Sequence, residues 1–262
     1  MHDYVFTLAG AVVGFSIGLT GVGGGSLMIP MLLALGVPPQ MAVGTDLLYA
    51  SITKSGGVMV HSKKRTINWR EVGLLSLGSA PFSLATVFAL RTFFHDANEY
   101  KHILTTSLGV MLMITALSLI FKRQLQAFHN ANPRKNELRQ YINDRSTLFT
   151  ILMGAALGVL VTLSSVGAGA FGVMVLLILY PRLATIEIIG TDVSHAVLLT
   201  LIAGLGHLSM GNVDFALLGK LLIGSLPAIY IGTHLSARMP ENVIQPLLGL
   251  TLMALSVKFV FY

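Results

Sequence analysis

The chain alternates between apolar runs and short polar or glycine-rich segments. A helix needs about 20 apolar residues to cross the core of a bilayer, so the longer runs predict membrane-spanning helices and runs of about ten residues predict partial crossings. Each half of the chain is predicted to hold five helices of unequal length. They cover residues 4–20, 26–35, 40–60, 70–90 and 102–121, and then 148–164, 170–179, 186–208, 215–235 and 243–261.

The composition supports a membrane location. Only 11% of the residues are charged and 54% are hydrophobic, whereas soluble domains carry roughly 25% charged residues. The 27 glycines and 9 prolines lie inside the apolar runs rather than in polar linkers, which argues against a disordered chain. With no cysteine, there is no disulfide framework and no thiol nucleophile. We therefore predict an all-α integral membrane protein in a lipid bilayer.

The second half repeats the first in residue identity as well as in hydropathy. Residues of the first half recur 144 positions later around the first glycine-rich segment and 146 positions later further along the chain. The clearest matches are Gly14, Gly23 and Gly25 with Gly158, Gly167 and Gly169, and Gly44, Thr45 and Asp46 with Gly190, Thr191 and Asp192. This pattern predicts two homologous transmembrane repeats, 4–121 and 148–262, joined by a polar cytoplasmic linker at 122–147.

The basic residues predict the orientation of the repeats. Lys63, Lys64 and Arg65 occupy the loop after the third helix, and short cytoplasmic loops carry an excess of Lys and Arg. The equivalent loop of the second half, 207–214, contains neither. The repeats are therefore predicted to be inverted, although they would be parallel if the first two helices formed one broken crossing. The basic residues behind the net charge of +6 cluster in segments between the apolar runs. This charge therefore indicates membrane topology, and no nucleic-acid partner is expected.

Two glycine-rich breaks, at 19–26 and 163–170, are the strongest local signals of a binding site. Each precedes a ten-residue helix that would rise only about 15 Å, so these broken or re-entrant helices are expected to begin near the bilayer midplane. Helix N-termini favour anions, although the glycines would also suit a purely structural turn. The candidate substrate-binding residues are Thr20, Gly21, Gly23, Gly24, Gly25, Ser26, Ser164, Ser165, Gly167 and Gly169, with Thr45 and Thr191 from the repeated Gly-Thr-Asp motif.

Asp46 and Asp192 are candidates for ion coupling. A carboxyl group within a membrane segment usually faces a bundle interior or an aqueous cavity, and burial favours its neutral form. Either aspartate is therefore expected to carry a coupling proton, or sodium, unless it is a structural hydrogen-bond partner. His195 shares a helix face with Asp192 and joins the coupling candidates, with a structural hydrogen bond as its alternative.

Lys54 has no charged counterpart in the second repeat, where Thr200 takes its place. Two interpretations fit the sequence. Lys54 lies within two or three helical turns of the basic loop, so its side chain can extend toward the lipid headgroups. Alternatively, it pairs with Asp46 inside a cavity.

The sequence lacks the common motifs of enzymes and ATPases. There is no HExxH, Walker A or GxSxG motif and no cluster with metal-ligand spacing. The GxGxxG spelling at 167–172 lies in a membrane segment without the βαβ unit that a dinucleotide site requires. We therefore expect no enzymatic activity, no cofactor, no metal and no ATPase partner.

Together, the two breaks, the Gly-Thr-Asp repeats and the G-S-x-P repeats at 78–81 and 224–227 resemble the TauE/SafE family of sulfite and sulfonate transporters. The likeness covers nearly the whole chain and is clearest over 18–47. It implies a multi-pass protein of the prokaryotic cytoplasmic membrane that moves small sulfur or carbon oxyanions. Proton-coupled alternating access is the expected mechanism, with an uncoupled anion channel, or a membrane-embedded enzyme or assembly factor, as alternatives. A homodimer is left open.

Overall fold

A computed structural model describes residues 3–20, 25–94, 99–121, 124, 146–167, 169–180, 183–236 and 241–261. These ranges are all-helical and contain ten helices. In chain order they are α1 (Asp3–Thr20), α2 (Gly25–Ala34), α3 (Pro39–Lys63), α4 (Trp69–Phe93), α5 (Lys101–Ile120), α6 (Ser146–Ser164), α7 (Ala170–Leu179), α8 (Thr185–Ser209), α9 (Phe215–Ser236) and α10 (Glu241–Phe261). All ten predicted elements are confirmed as helices, with ends that differ by three residues or fewer. The predicted linker lies almost entirely outside the described residues.

Five of the described helices are long and apolar enough to cross a bilayer, namely α4, α5, α6, α8 and α9. Large apolar side chains cover the outer surface of this bundle. Leu77 and Phe88 of α4 and Ile223 of α9 are each more than 65% exposed. Water would make such a surface costly, whereas lipid tails solvate it without penalty. The outer surface therefore fits a lipid environment.

The outer helix pairs are α1 with α9 and α4 with α6, and both are packed through glycine. Gly14 of α1 lies against the backbone of Ser225, and Gly158 of α6 lies against the backbone of Ser79. Any Cβ at either glycine would overlap its neighbour, so the small residues allow close helix approach. Gly158 is the counterpart of Gly14 in the other repeat, and Ser79 is the counterpart of Ser225. Each repeat therefore makes the same contact with the other.

Helices α3 and α8 cross at the centre of the bundle and run in opposite directions. Gly44, near the start of α3, packs against Asn212, just after the end of α8. Gly190, near the start of α8, packs against Thr66, just after the end of α3. The midpoint of the crossing brings Ser51 close to Val197. The early turns that carry the two aspartates therefore lie toward opposite ends of this central pair.

Candidate functional site

The second glycine-rich break is a sharp turn between α6 and α7. The backbone of Ser165 has φ +53°, and those of Gly167 and Gly169 have φ +122° and +142°. Glycine adopts such angles without the clash that a Cβ would cause, and Gly169 directly precedes the first residue of α7. The predicted break is confirmed at this position, and its glycines let α7 begin inside the protein.

The serines of this break have different partners. The hydroxyl of Ser164 donates to the carbonyl of Leu160 at 2.6 Å and accepts the backbone N–H of Val166 at 3.2 Å, so it closes the turn. The hydroxyl of Ser165 instead leaves the turn and donates to Oδ2 of Asp46 at 2.8 Å. Ser164 therefore stabilises the break, whereas Ser165 connects it to the other repeat.

Asp46 is fully buried in α3. Its Oδ2 accepts the hydrogen bond from Ser165, and its Oδ1 has no hydrogen-bond partner among the described residues. A buried carboxylate normally satisfies both oxygens. Asp46 is therefore held by one contact to the opposite repeat and keeps one oxygen for a proton or a further partner.

Asp192 is the counterpart of Asp46 but has a different neighbour. Its side chain is 1% exposed, and Oδ1 lies directly against Gly172 in the first turn of α7. Neither oxygen has a hydrogen-bond partner within the part of the chain that the structure describes. Because the first turn of a helix is the positive end of its dipole, this position suits an ionised carboxylate. Only a glycine at 172 leaves room for it.

Lys54 lies at the crossing of α3 and α8, between Ser51, which lies close to Val197, and Gly57, which packs against Val193, and its charge acts on both Asp192 and Asp46. Each carboxylate in turn has Lys54 as its charged neighbour. The structure therefore favours pairing inside the protein over an extension to the headgroups, and the pairing includes Asp192, which the sequence interpretation did not foresee. Lys54 links the acidic groups of the two repeats.

His195 is fully buried on α8, and its Nε2 lies 2.9 Å from the hydroxyl of Ser79 in the G-S-x-P motif of α4. Its Nδ1 has no hydrogen-bond partner in the described ranges. The matched position in the first repeat is Tyr49, whose buried hydroxyl lies near Ser225 of the second G-S-x-P motif but makes no hydrogen bond to any described residue. The aromatic residue after each Gly-Thr-Asp motif thus faces the serine of the opposite repeat.

The two motif threonines hold loops. Thr45 Oγ1 accepts the backbone N–H of Asp214 at 3.1 Å, and Thr191 Oγ1 accepts the backbone N–H of Asn68 at 3.0 Å. Asn68 and Asp214 directly precede α4 and α9. In this conformation the threonines therefore position the loops of the opposite repeat.

The first break is described only at its edges. Thr20 ends α1 and Gly25 begins α2, while Gly21, Gly23 and Gly24 lie outside the described residues. Ser26 is buried in the first turn of α2. The structure therefore places the two ends of this break, at the end of α1 and the start of α2, but does not describe the glycines between them.

Three features of the site were not found by sequence reasoning. They are the hydrogen bond from Ser165 to Asp46, the link from Lys54 to Asp192, and the facing of His195 and Ser79 across repeats. The contact with Gly172 places Asp192 against the broken helix of its own repeat. The 146-residue spacing marked His195 and Ser79 as repeat positions but could not show which helices face each other. Within the described ranges, no three His, Asp or Glu side chains gather as a metal site would require.

The hydrogen bond between Ser165 and Asp46 predicts an energetic coupling between the repeats. In a double-mutant cycle of Ser165→Ala and Asp46→Ala, followed by denaturant unfolding in detergent, we expect a coupling of about 1 to 3 kcal/mol. The matched control is Ser165→Ala with Asp192→Ala, because these two side chains share no hydrogen bond in the described structure. Additive effects in both cycles would show that the Ser165 contact contributes nothing.

Comparison with known proteins identifies the family. The family described as Sulfite exporter TauE/SafE matches residues 6–259. The probable membrane transporter protein YjnA of Bacillus subtilis is 38% identical over 97% of this chain and 98% of its own length. YdhB of the same organism, also named a probable membrane transporter protein, is 27% identical over 92% and 93%. The archaeal protein MJ0441 of Methanocaldococcus jannaschii is 27% identical over 62% and 57%.

No solved structure matches the chain. The family match spans almost every residue from α1 to α10, and the relatives carry the name of membrane transporters. The apolar helices have the length and composition of membrane spans. The chain is a multi-pass membrane transporter that belongs to the TauE/SafE sulfite exporter family.

Proposed function

We propose that the protein is a secondary transporter that moves a small sulfur or carbon oxyanion, such as sulfite or a sulfonate, across the prokaryotic cytoplasmic membrane together with protons. The anion binds between the two breaks, and Asp46 and Asp192 carry the coupling protons. The observation that carries the proposal is the hydrogen bond from Ser165 to Asp46, because it joins a candidate anion ligand to a candidate proton carrier across the repeat boundary.

The first coupling step follows from the chemistry of this bond. An ionised carboxylate is a much stronger acceptor than a neutral carboxyl group, so ionised Asp46 keeps the Ser165 hydroxyl for itself. A proton on Asp46 weakens the bond and lets the hydroxyl turn toward an anion. Proton binding therefore increases the affinity for the anion, and by linkage the anion increases the affinity for the proton.

The second step uses the same competition at the start of α7. Ionised Asp192 lies against Gly172, where it occupies the positive end of the helix dipole. Protonation removes its charge and makes that helix end available to the substrate anion. An ionised aspartate thus acts as an internal anion that the substrate replaces only after a proton has bound.

The other candidate ligands complete the proposed site. Thr20, Ser26 and the glycines of the first break would supply hydroxyl and N–H donors from the matching helix end. Ser164 shapes the second break, and Thr45 and Thr191 hold the loops next to the aspartates. His195, which lies three residues after Asp192, would donate to the bound anion or relay its proton.

Alternating access requires the two repeats to move relative to each other, and inverted repeats provide two equivalent end states. The opposite directions of α3 and α8 support inversion, because repeats related by an axis along the membrane normal would place these helices parallel. The basic loop after α3 and the uncharged end of α8 also agree with opposite sides of the membrane.

Single cysteines test the inversion directly, because the natural chain contains none. Lys63→Cys and Ser209→Cys occupy matched positions of the repeats, and both side chains are exposed. We expect a membrane-impermeant maleimide to label Ser209→Cys on intact cells and Lys63→Cys only after permeabilisation. Labelling of both positions from one side would establish parallel repeats.

Flux measurements with a double aspartate variant test the transport mechanism. Uptake of sulfite and methanesulfonate into proteoliposomes should saturate and increase when the outside is more acidic. In the double variant that carries Asp46→Asn and Asp192→Asn neither side chain can ionise, so we expect the stimulation by the pH gradient to be lost while exchange of internal for external anion persists. Either single variant keeps one carboxyl group that can bind the proton. Uptake is followed by ion chromatography of the vesicle contents.

Asp214→Asn is the matched control, because asparagine also caps a helix start and Asp214 caps α9 through Leu217. This variant should keep the wild-type response to pH. Stimulation that survives in the double variant would remove the aspartates from coupling. Non-saturating flux without any response to pH in the wild type would indicate a channel, and the absence of flux would contradict the proposed substrates.

A further inference from the structure

Lys54 carries a charge that its counterpart in the second repeat lacks. The residue lies in the middle of α3, between Ser51, which lies close to Val197, and Gly57, which packs against Val193 directly after Asp192. This position at the crossing of α3 and α8 brings its positive charge near Asp192, and it also acts on Asp46 earlier in α3. Its counterpart Thr200 is uncharged and donates to the carbonyl of Ala196 within its own helix at 2.7 Å. Two buried carboxyl groups therefore share one lysine.

The low dielectric of a membrane protein interior penalises any net charge that is not balanced nearby. If Asp46 and Asp192 were both ionised, Lys54 could neutralise only one of them and a net negative charge would remain. If both were protonated, Lys54 would leave a net positive charge. The neutral arrangement of the empty site has one ionised and one protonated carboxyl group.

The other titratable groups do not alter this count. His195 is neutral when buried against Ser79, and Tyr49 is a neutral phenol. Helix α3 also carries His61 and Lys63 in its last turn, and α8 carries Glu187 in its first turn and His207, whose ring lies against the carbonyl of Thr162, in its last turn. The helices packed against them contribute Glu71, which pairs with Arg70 at 3.4 Å on α4, Arg91 in the last turn of α4, Lys220 and the exposed His234 on α9, and the exposed Lys101 and His102 at the start of α5. The charged group that interacts with each of the two aspartates is Lys54.

We propose that Lys54 is the fixed counter-charge of the Asp46 and Asp192 pair, so that the empty transporter holds one proton on the two carboxyl groups and accepts one more with each monovalent anion. The loaded site then contains two neutral carboxyl groups, Lys54 and the anion, which together carry no net charge. A divalent anion would leave an unbalanced negative charge, so the site selects monovalent oxyanions such as sulfonates and hydrogen sulfite.

This inference deepens the proposed function and rests on it for the role of the anion, but its main test needs no anion. Infrared absorption of protonated carboxyl groups in the purified protein counts the protons on Asp46 and Asp192. The signal is assigned by subtracting the spectrum of a variant with Asp46→Asn and Asp192→Asn. Wild type should show one protonated group, and Lys54→Thr, which copies the matched position of the second repeat, should show a twofold larger signal.

Lys54→Arg is the control, because it keeps the positive charge and should keep the wild-type signal. Two outcomes would overturn the proposal. One is a wild-type signal that corresponds to no protonated group or to two, and the other is a signal that does not change in Lys54→Thr. Methanesulfonate should then raise the wild-type signal twofold. If methanesulfonate leaves the wild-type signal unchanged and Lys54→Thr still doubles it, Lys54 is the counter-charge of the aspartates. In that case the proposed coupling of proton binding to anion binding is wrong.

Discussion

A carboxyl group inside a membrane protein must be neutral or be compensated by a nearby group, because the interior cannot solvate its charge as water does. This constraint organises the centre of the molecule. Asp46 is compensated by Ser165 of the second break, and Asp192 by the first turn of α7. Lys54 interacts with both. The contacts of Ser165 with Asp46 and of Lys54 with Asp192 join one repeat to the other, so a change of charge on either aspartate changes how the repeats hold each other.

The remaining structure divides into a tightly packed frame and a deformable centre. Helices α1 with α9 and α4 with α6 are held by glycine contacts that leave no space for a side chain. The break between α6 and α7 is instead a turn with left-handed backbone angles, closed by one serine hydroxyl.

Much of this fold follows from the sequence, because run length and the 144- and 146-residue spacings identify the helices and their repeat partners. The site was only partly predictable. Hydropathy does not show which face of a helix meets which neighbour, so the pairing of Ser165 with Asp46 and of Asp192 with Gly172 needed coordinates. Thr45 and Thr191 have the chemistry of anion ligands, yet in this conformation their hydroxyls hold backbone groups of loops 120 residues or more away in the chain.

The central claim is that anion and proton enter together. It is tested most directly by adding methanesulfonate to wild-type proteoliposomes without a pH gradient and recording the internal pH with a trapped dye. Methanesulfonic acid is a strong acid, so the neutral acid does not carry protons through the lipid itself. We expect internal acidification that follows anion entry and is absent from protein-free vesicles. Anion entry that leaves the internal pH unchanged would contradict the account.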